Sequence, residues 1–185
     1  MEQASHDYEQ SQARTPEELL ALGDSLLDDF RRADSAIARI RREVLRVRRT
    51  LAPEEEILDE RADHLTRVLV ELPSRDIDLA RYVYSVLTHS DDPRDRYWAA
   101  IFVPHMLAVD KSTGLGMLER LIGDEETEQK VQDTAWDVLT TDIASQNLIT
   151  LSEAVEYIDT YHHLYSSRLV QRAKHARERL QSGNE

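Results

Sequence analysis

The chain has 185 residues, of which 41% are apolar and 32% charged, a composition typical of a globular protein rich in surface helix. It contains no cysteine, which excludes disulfides, thiolate metal sites and cysteine nucleophiles. The net charge of −13 argues against nucleic acid as the main partner, because phosphate binding needs clustered cations. Five glycines and five prolines are too few for the turns of a β-sandwich.

The charge is unevenly distributed along the chain. Residues 31–50 carry +6 and residues 51–166 carry −15, so the basic stretch must be weighed separately. Arginine outnumbers lysine 20 to 3, which indicates a GC-rich, bacterial coding sequence. No secretory signal is visible, and the longest apolar run, residues 98–104, is too short to cross a bilayer. We therefore expect a cytoplasmic protein that does not contact a membrane.

The first predicted element is a long helix. Residues 1–14 are polar and aperiodic, which predicts a disordered tail. Thr15, Pro16 and Glu18 then form a helix start with a capping box. An apolar stripe follows at steps of three and four, through Leu19, Leu22, Leu26, Phe30, Ala33, Ile37, Ile40, Val44, Val47 and Leu51. This helix, residues 16–51, is either continuous or broken near Asp34–Ser35.

A second helix completes a hairpin with the first. It opens at Pro53, where three glutamates favour a helix N-terminus, and it closes at Pro73. Residues 15–73 are therefore predicted to form a long-helix hairpin, a coiled-coil-like arm.

The helices after residue 74 are shorter. Ser74 or Asp76 is placed to cap the first of them, Asp92 and Thr150 are placed to cap two others, and Gly123 is placed to end another. No window alternates with period two for long enough to form a strand. The chain is predicted to be all-α, with a flexible tail at residues 182–185.

Two stretches of the second half share a pattern. The sequences VLTHSDDPRDRYWAAIFV (residues 86–103) and RLIGDEETEQKVQDTAWDVL (residues 120–139) each contain an apolar helix end, an acidic turn and a helix with Ala and Trp in its middle. Ala99 and Ala135 lie 36 residues apart, and a period in this range is typical of stacked helix pairs.

This pattern resembles the HEAT-repeat family of α-solenoids. The resemblance rests on the acidic turn and on the helix that contains Val131, Gln132, Ala135 and Leu139, and it covers about residues 74–180. It implies a short HEAT-like solenoid of about three helix pairs at residues 74–181, following the hairpin. Two positions depart from the family pattern, because Asp95 stands at an apolar position and Gln132 at a basic one.

Pro104 lies late in the helix that Asp92 begins. Since proline lacks the backbone N–H, we expect it to end or kink that helix near His105. Proline kinks are also what the HEAT resemblance implies, which favours a structural role over a hinge.

An arginine ladder is the most distinctive local feature. Arg39, Arg42, Arg46 and Arg49 step by three, four and three along one flank of the first helix. Such a ladder either binds an acidic partner or phosphates, or pairs within the hairpin. The pairs expected from the turn at residues 52–53 are Arg49 with Glu55, Arg46 with Asp59 and Arg42 with Asp63.

Aromatic side chains give a second group of candidates. Tyr157, Tyr161 and Tyr165 lie four apart on one helix face, and Trp136 lies away from the apolar stripe of its helix. Each either packs within the protein or binds a partner, since tyrosine and tryptophan are enriched at interfaces.

No pattern typical of catalysis, metal binding or cofactor binding is present. His162 and His163 point about 100° apart on a helix, so they do not face one ion. The TGLG stretch at residues 113–116 lacks the Lys-Ser/Thr of a phosphate-binding loop and is expected to lie in a loop or at the start of a helix.

The sequence therefore favours a non-catalytic adaptor or regulatory subunit that binds another protein through helical surfaces. The acidic stretch favours a partner with a basic surface, and the helix at residues 16–51 is also a candidate for self-association. The first alternative is a nucleic-acid-associated regulator that uses the Arg-rich helix at residues 31–50. The less favoured alternative is a metal-dependent helical hydrolase.

Overall fold

A computed structural model describes residues 14–123 and the single positions 131, 134, 156, 160, 174, 178 and 182. The described part is all-helical, as predicted, and contains no strand. Its helices are α1 (Pro16–Val47), α2 (Pro53–Arg75), α3 (Ile77–Thr88), α4 (Pro93–Val109) and α5 (Lys111–Gly123). The chain divides within α3 into two compact units, Met1–Val83 and Tyr84–Glu185.

Helix α1 begins as the sequence predicts. The Thr15 hydroxyl accepts from the Glu18 N–H at 3.2 Å, and the Glu18 carboxylate accepts from the Thr15 N–H at 2.8 Å. The helix is continuous through Asp34–Ser35 and ends at Val47, not at residue 51. It stops there because Arg48 takes a left-handed backbone conformation (φ 51°, ψ 41°), and its N–H bonds to the Val44 carbonyl.

Helix α2 begins at Pro53 and runs past Pro73. The Glu55 carboxylate accepts from the Ala52 N–H at 2.8 Å, which satisfies one of the donors at this helix N-terminus. The predicted end at Pro73 is wrong, because the helix continues to Arg75. Pro73 removes one backbone hydrogen bond of the helix, and only Ser74 and Arg75 follow it in the helix, so the loss affects the last turn alone.

The first unit has its core where α1, α2 and the first turns of α3 meet. Its fully or almost fully buried side chains include Leu26, Leu27, Phe30, Leu69, Leu72, Leu79 and Val83. Gly23 allows close packing here, because a Cβ would overlap the ring of Tyr82. The Tyr82 hydroxyl donates to Asp24 at 2.6 Å, and Asp24 accordingly raises the pKa of Tyr82.

Two hydrogen bonds to the Asp76 carboxylate stabilise the start of α3. Asp76 caps α3 by accepting from the Leu79 N–H at 3.1 Å, and the same carboxylate group accepts from Arg14 at 2.5 Å. Arg14, which the sequence assigns to a disordered tail, is therefore held against the start of α3.

In the second unit, α4 packs against α5. Asp92 caps α4 as predicted and accepts from the Arg94 N–H at 2.8 Å. The helix does not end near His105 but continues to Val109 with Pro104 buried inside it. Met106 and Leu107, beyond the proline, are also buried, so packing stabilises the turn that follows the missing hydrogen bond.

Helix α5 begins at Lys111, so residues 113–116, which were expected in a loop or at the start of a helix, lie in its first turns. Asp110 is its cap, since its carboxylate accepts from the Thr113 N–H at 3.1 Å and from the Thr113 hydroxyl at 2.6 Å. Gly114 lies inside the helix, where a Cβ would come within 2.9 Å of the Leu107 backbone nitrogen.

Aromatic rings fill the core of the second unit. Tyr84 and Trp98 each stack on Phe102, with ring centroids 5.3 Å and 5.8 Å away. Tyr84 is fully buried, and burial raises the pKa of its phenol.

The predicted tails, apart from Arg14 and Ser182, and about half of the HEAT-like region lie outside the described residues. Within that region, Val131 is helical and buried, and Glu156 and Thr160 are helical and exposed. Among the described residues, no helix has both the length and the apolar character that a membrane span requires.

Candidate protein-binding surface at the hairpin tip

The end of the α1–α2 hairpin has no core. Buried positions stop at Ile40 on α1 and resume at Ala62 on α2, and no residue between them is buried. We call residues 41–61 the hairpin tip. Every residue of the tip is exposed or half-buried, so its side chains are at most partly covered.

The tip nevertheless carries large apolar side chains. Leu45 is 77% exposed, Val47 60%, Ile57 59% and Leu58 36%. Val44 and Leu51 are half-buried between the helices. Because scattered single apolar residues are normal on a surface but a group of four at one end of an arm is not, the tip is the best candidate for a docking surface.

The turn at the tip is held by one strong ion pair. Both terminal nitrogens of Arg49 donate to the Glu55 carboxylate at 2.6 Å, and this is the pair the sequence predicts. The hydrogen bonds from Arg49, and then the one from the Ala52 N–H, lower the pKa of Glu55 to about 2. The pKa of Arg49 is correspondingly raised by Glu55. Arg49 is therefore committed within the hairpin.

The other expected pairs are wrong. Asp59 pairs with Arg41 and not with Arg46, and Arg61 on α2 pairs with Asp29 on α1 at 3.6 Å. Arg42 donates to the Ala38 carbonyl of its own helix at 3.1 Å and makes no ion pair with Asp63. The reason is geometric: Arg41 projects from the side of α1 nearer α2, whereas Arg42 and Arg46 project from the far side.

The far side of each helix therefore keeps charges that no ion pair neutralises. On α1, Arg39, Arg42 and Arg46 are exposed, and no residue within 14–123 forms an ion pair with them. On α2, the same holds for Glu56, Glu60 and Asp63. The sequence pattern pointed to the arginines and, among these acids, to Asp63 alone, as the expected partner of Arg42, although the acids also recur at steps of four and three.

The aromatic candidates cannot be placed on this surface. Trp136, Tyr157, Tyr161 and Tyr165 lie outside the described residues. They remain predictions from the sequence.

The described residues contain no arrangement of three or more His, Asp or Glu side chains that could hold a metal ion. Comparison with models of protein families, with curated proteins and with solved structures finds no match. The functional assignment therefore depends on the surface itself.

Proposed function

We propose that this protein is a non-catalytic adaptor or regulatory subunit that binds another protein, with the hairpin tip as one of its docking surfaces. The observation that carries the proposal is the exposure of Leu45, Val47, Ile57 and Leu58 at the end of an otherwise packed arm. Burying such side chains contributes about 1.5–3 kcal/mol each when they are fully removed from water. Arginines also lie in the tip, and arginine is, with tryptophan and tyrosine, among the residue types most enriched in binding hot spots.

The sequence of the second half supports a second docking surface. A HEAT-like solenoid at residues 74–181 would present Trp136 and the tyrosines as contacts of their own. The charge of −15 over residues 51–166 favours a partner with a basic surface. Attraction between opposite charges also increases the rate of association. The absence of cysteine fits the reducing cytoplasm as the place where this binding occurs.

One observation favours a second candidate function, which is binding to nucleic acid. The row of Arg39, Arg42 and Arg46 is exposed and without ion pairs in residues 14–123, and it could contact phosphates. Against this stands the overall charge of −13, which repels a polyanion. Retention on double-stranded DNA at low salt, lost in a variant with all three arginines replaced, would favour this candidate over the adaptor.

The adaptor proposal is tested by affinity purification with a matched pair of variants. Tagged full-length chain is compared with Leu45→Asp/Ile57→Asp, which places charge on the tip, and with Leu20→Asp, which alters an apolar residue of α1 that is 44% exposed outside the tip. We expect proteins captured by the wild type to be retained by Leu20→Asp and to fall at least about tenfold with the tip variant, the equivalent of one lost contact of about 1.4 kcal/mol.

Thermal melting by circular dichroism provides the control for folding. All three chains should melt within a few degrees of each other, because substitutions at exposed positions change stability by about 0.5 kcal/mol or less. Equal capture by the wild type and the folded tip variant would refute the tip as a docking surface.

A further inference from the structure

The two outer edges of the hairpin tip carry opposite charges. We define the arginine edge as Arg39, Arg42 and Arg46, and the acidic edge as Glu56, Glu60 and Asp63. At about 100° per residue, the arginine edge lies on the side of α1 opposite the buried Ile37 and Ile40. By the same geometry the acidic edge lies opposite the buried Ala62 and Leu65 of α2. Since α1 and α2 pack against each other through their buried sides, the two edges face away from each other.

Neither edge is neutralised by the part of the chain that the structure describes. The hairpin cations that form ion pairs across the two helices are Arg41, Arg49 and Arg61. The three arginines and three acids of the edges form no ion pair with any residue in the stretch from 14 to 123. They are therefore available to an outside partner on both flanks at once.

The residues of the two edges have the same spacing when each edge is followed towards the tip. From Arg39 towards the tip the steps are three and four residues, and from Asp63 towards the tip they are also three and four. Helix α1 runs towards the tip and α2 runs away from it, and both rise about 1.5 Å per residue. Two hairpins placed side by side with their tips aligned would therefore bring the edges together in register. The facing residues would be Arg46 and Glu56, Arg42 and Glu60, and Arg39 and Asp63.

We propose that a second copy of this chain docks on the hairpin tip, its acidic edge against the arginine edge of the first. This inference rests on the proposed function of the tip as a docking surface and names the occupant. The overall charge of −13 makes two copies repel each other over most of their surface, so the arginine edge is the place where a second copy is attracted. Leu45 and Ile57 adjoin the two edges in sequence and are largely exposed.

The arrangement determines how the copies assemble. Each contact uses one arginine edge and one acidic edge, and it leaves one edge of each kind uncovered on the outer flanks of the pair. Such a head-to-tail contact adds further copies instead of closing at two. Because the pairs are solvent-exposed, the association is weak and is screened by salt.

The test uses charge reversal on purified full-length chains. One variant, Arg42→Glu/Arg46→Glu, makes both edges acidic, and the other, Glu56→Arg/Glu60→Arg, makes both basic. Sedimentation velocity is recorded from about 10 µM to about 1 mM protein in about 50 mM NaCl, a range that detects binding as weak as 1 mM. Arg75→Glu/Arg81→Glu, at exposed positions away from the tip, is the matched control for the arginine variant.

We expect the wild type and the control to exceed the monomer mass of 21.4 kDa as the concentration rises. Each edge variant alone should associate at least about tenfold more weakly, because like charges then face each other. An equimolar mixture of the two edge variants should recover the association, since the acidic edge of one then meets the basic edge of the other. A chain that combines all four edge substitutions should recover it as well.

A wild type that stays at 21.4 kDa throughout, or a mixture that does not recover association, overturns the inference. The failure of the proposed function is a separate result. If capture of other proteins still depends on Leu45 and Ile57 while the chain is monomeric, the tip is a docking surface for a different partner. If capture is equal in the tip variant as well, both proposals fail.

Discussion

Glu55 has two structural roles at the turn of the hairpin. Its carboxylate accepts two hydrogen bonds from Arg49, which joins the end of α1 to the start of α2. It also accepts from the Ala52 N–H, where an alanine offers no capping side chain of its own. The turn therefore depends on the ionised form of one carboxyl group.

The low pKa of Glu55 predicts a pH-dependent contribution to stability. Its folded-state pKa of about 2 lies below the ordinary value of 4.5, so the carboxylate stabilises the fold above pH 4.5 and loses this effect as the pH falls towards 2. We expect Glu55→Gln to lower the melting temperature at pH 7 by about 1–3 °C, as for one exposed ion pair. The difference from the wild type should shrink between about pH 5 and pH 2, measured by circular dichroism.

Glu54→Gln is the matched control for this experiment. Glu54 also lies in the first turn of α2 and is exposed, but no hydrogen bond connects it to Arg49 or Ala52. Its effect should be smaller than that of Glu55→Gln at pH 7. A Glu55→Gln deficit that stays constant from pH 7 to pH 2 would contradict the assigned role.

The arginines show which contacts a sequence can predict. Arg49 and Glu55 flank a short turn, so their proximity follows from chain connectivity alone. The partner of Asp59 could not be predicted in this way, because steps of three and four define a face of α1 but not the direction in which it points. That direction is set by the packing of α2 on the buried side, which brings Arg41 and not Arg46 to Asp59.

At the level of whole elements, the sequence predicts starts better than ends. Thr15 and Asp92 cap helices as expected, and of the two candidates Ser74 and Asp76 it is Asp76 that caps α3; an N-cap acts through a local hydrogen bond, which the sequence shows directly. Pro73 and Pro104 do not end their helices, since buried residues around them stabilise the turns that lack a backbone bond. For residues 113–116 the sequence left a loop and a helix start open, because glycines at 114 and 116 disfavour helix; the structure places them in the first turns of α5, which Asp110 caps.

These two glycines of α5 provide a matched test of close packing. A Cβ at Gly114 would come within 2.9 Å of the Leu107 backbone nitrogen, whereas a Cβ at Gly116 would meet no atom within 4 Å. We expect Gly114→Ala to destabilise the protein by about 1–3 kcal/mol through overpacking. Gly116→Ala should stabilise it by about 0.5–1 kcal/mol through helix propensity.

Urea denaturation of both variants measures the two changes. The two substitutions should change the free energy of unfolding in opposite directions. This distinguishes tight packing of α5 on the end of α4 from a general preference for alanine in helices. Stabilisation of similar size by both substitutions would show that Leu107 does not approach Gly114 in solution.

For the molecule as a whole, net charge should dominate the response to salt. With a net charge of −13, repulsion among carboxylates opposes folding. Raising NaCl from about 20 mM to about 300 mM at pH 7 should therefore raise the melting temperature by about 2–5 °C, because salt screens the repulsion. Differential scanning calorimetry at low protein concentration measures this without contribution from self-association.

A repeat near pH 5 controls for other effects of salt. The isoelectric point is about 5.0, so the net repulsion vanishes there and the salt dependence should largely disappear. A melting temperature that falls with salt at pH 7 would mean that ion pairs such as Arg49–Glu55 outweigh the overall repulsion.

The helical class of the whole molecule follows from the sequence, whereas its surface does not. The period of the apolar residues predicts an all-α chain, and the described helices confirm it. The same stripe extends through Val44 and Val47 into the tip, where it predicts burial that the structure does not show. The apolar period predicts which face of a helix is suited to burial. It does not predict whether a neighbouring element is present to bury that face.

Arg48 gives the hairpin one further property. Its left-handed backbone is a conformation that glycine adopts freely and that a residue with a Cβ adopts at a cost of about 1–2 kcal/mol. The strain falls on the last residue before the chain reverses, beside the most exposed part of the arm. Arg48→Gly would keep the same backbone conformation without this cost, so the end of α1 is a point at which the fold holds strain.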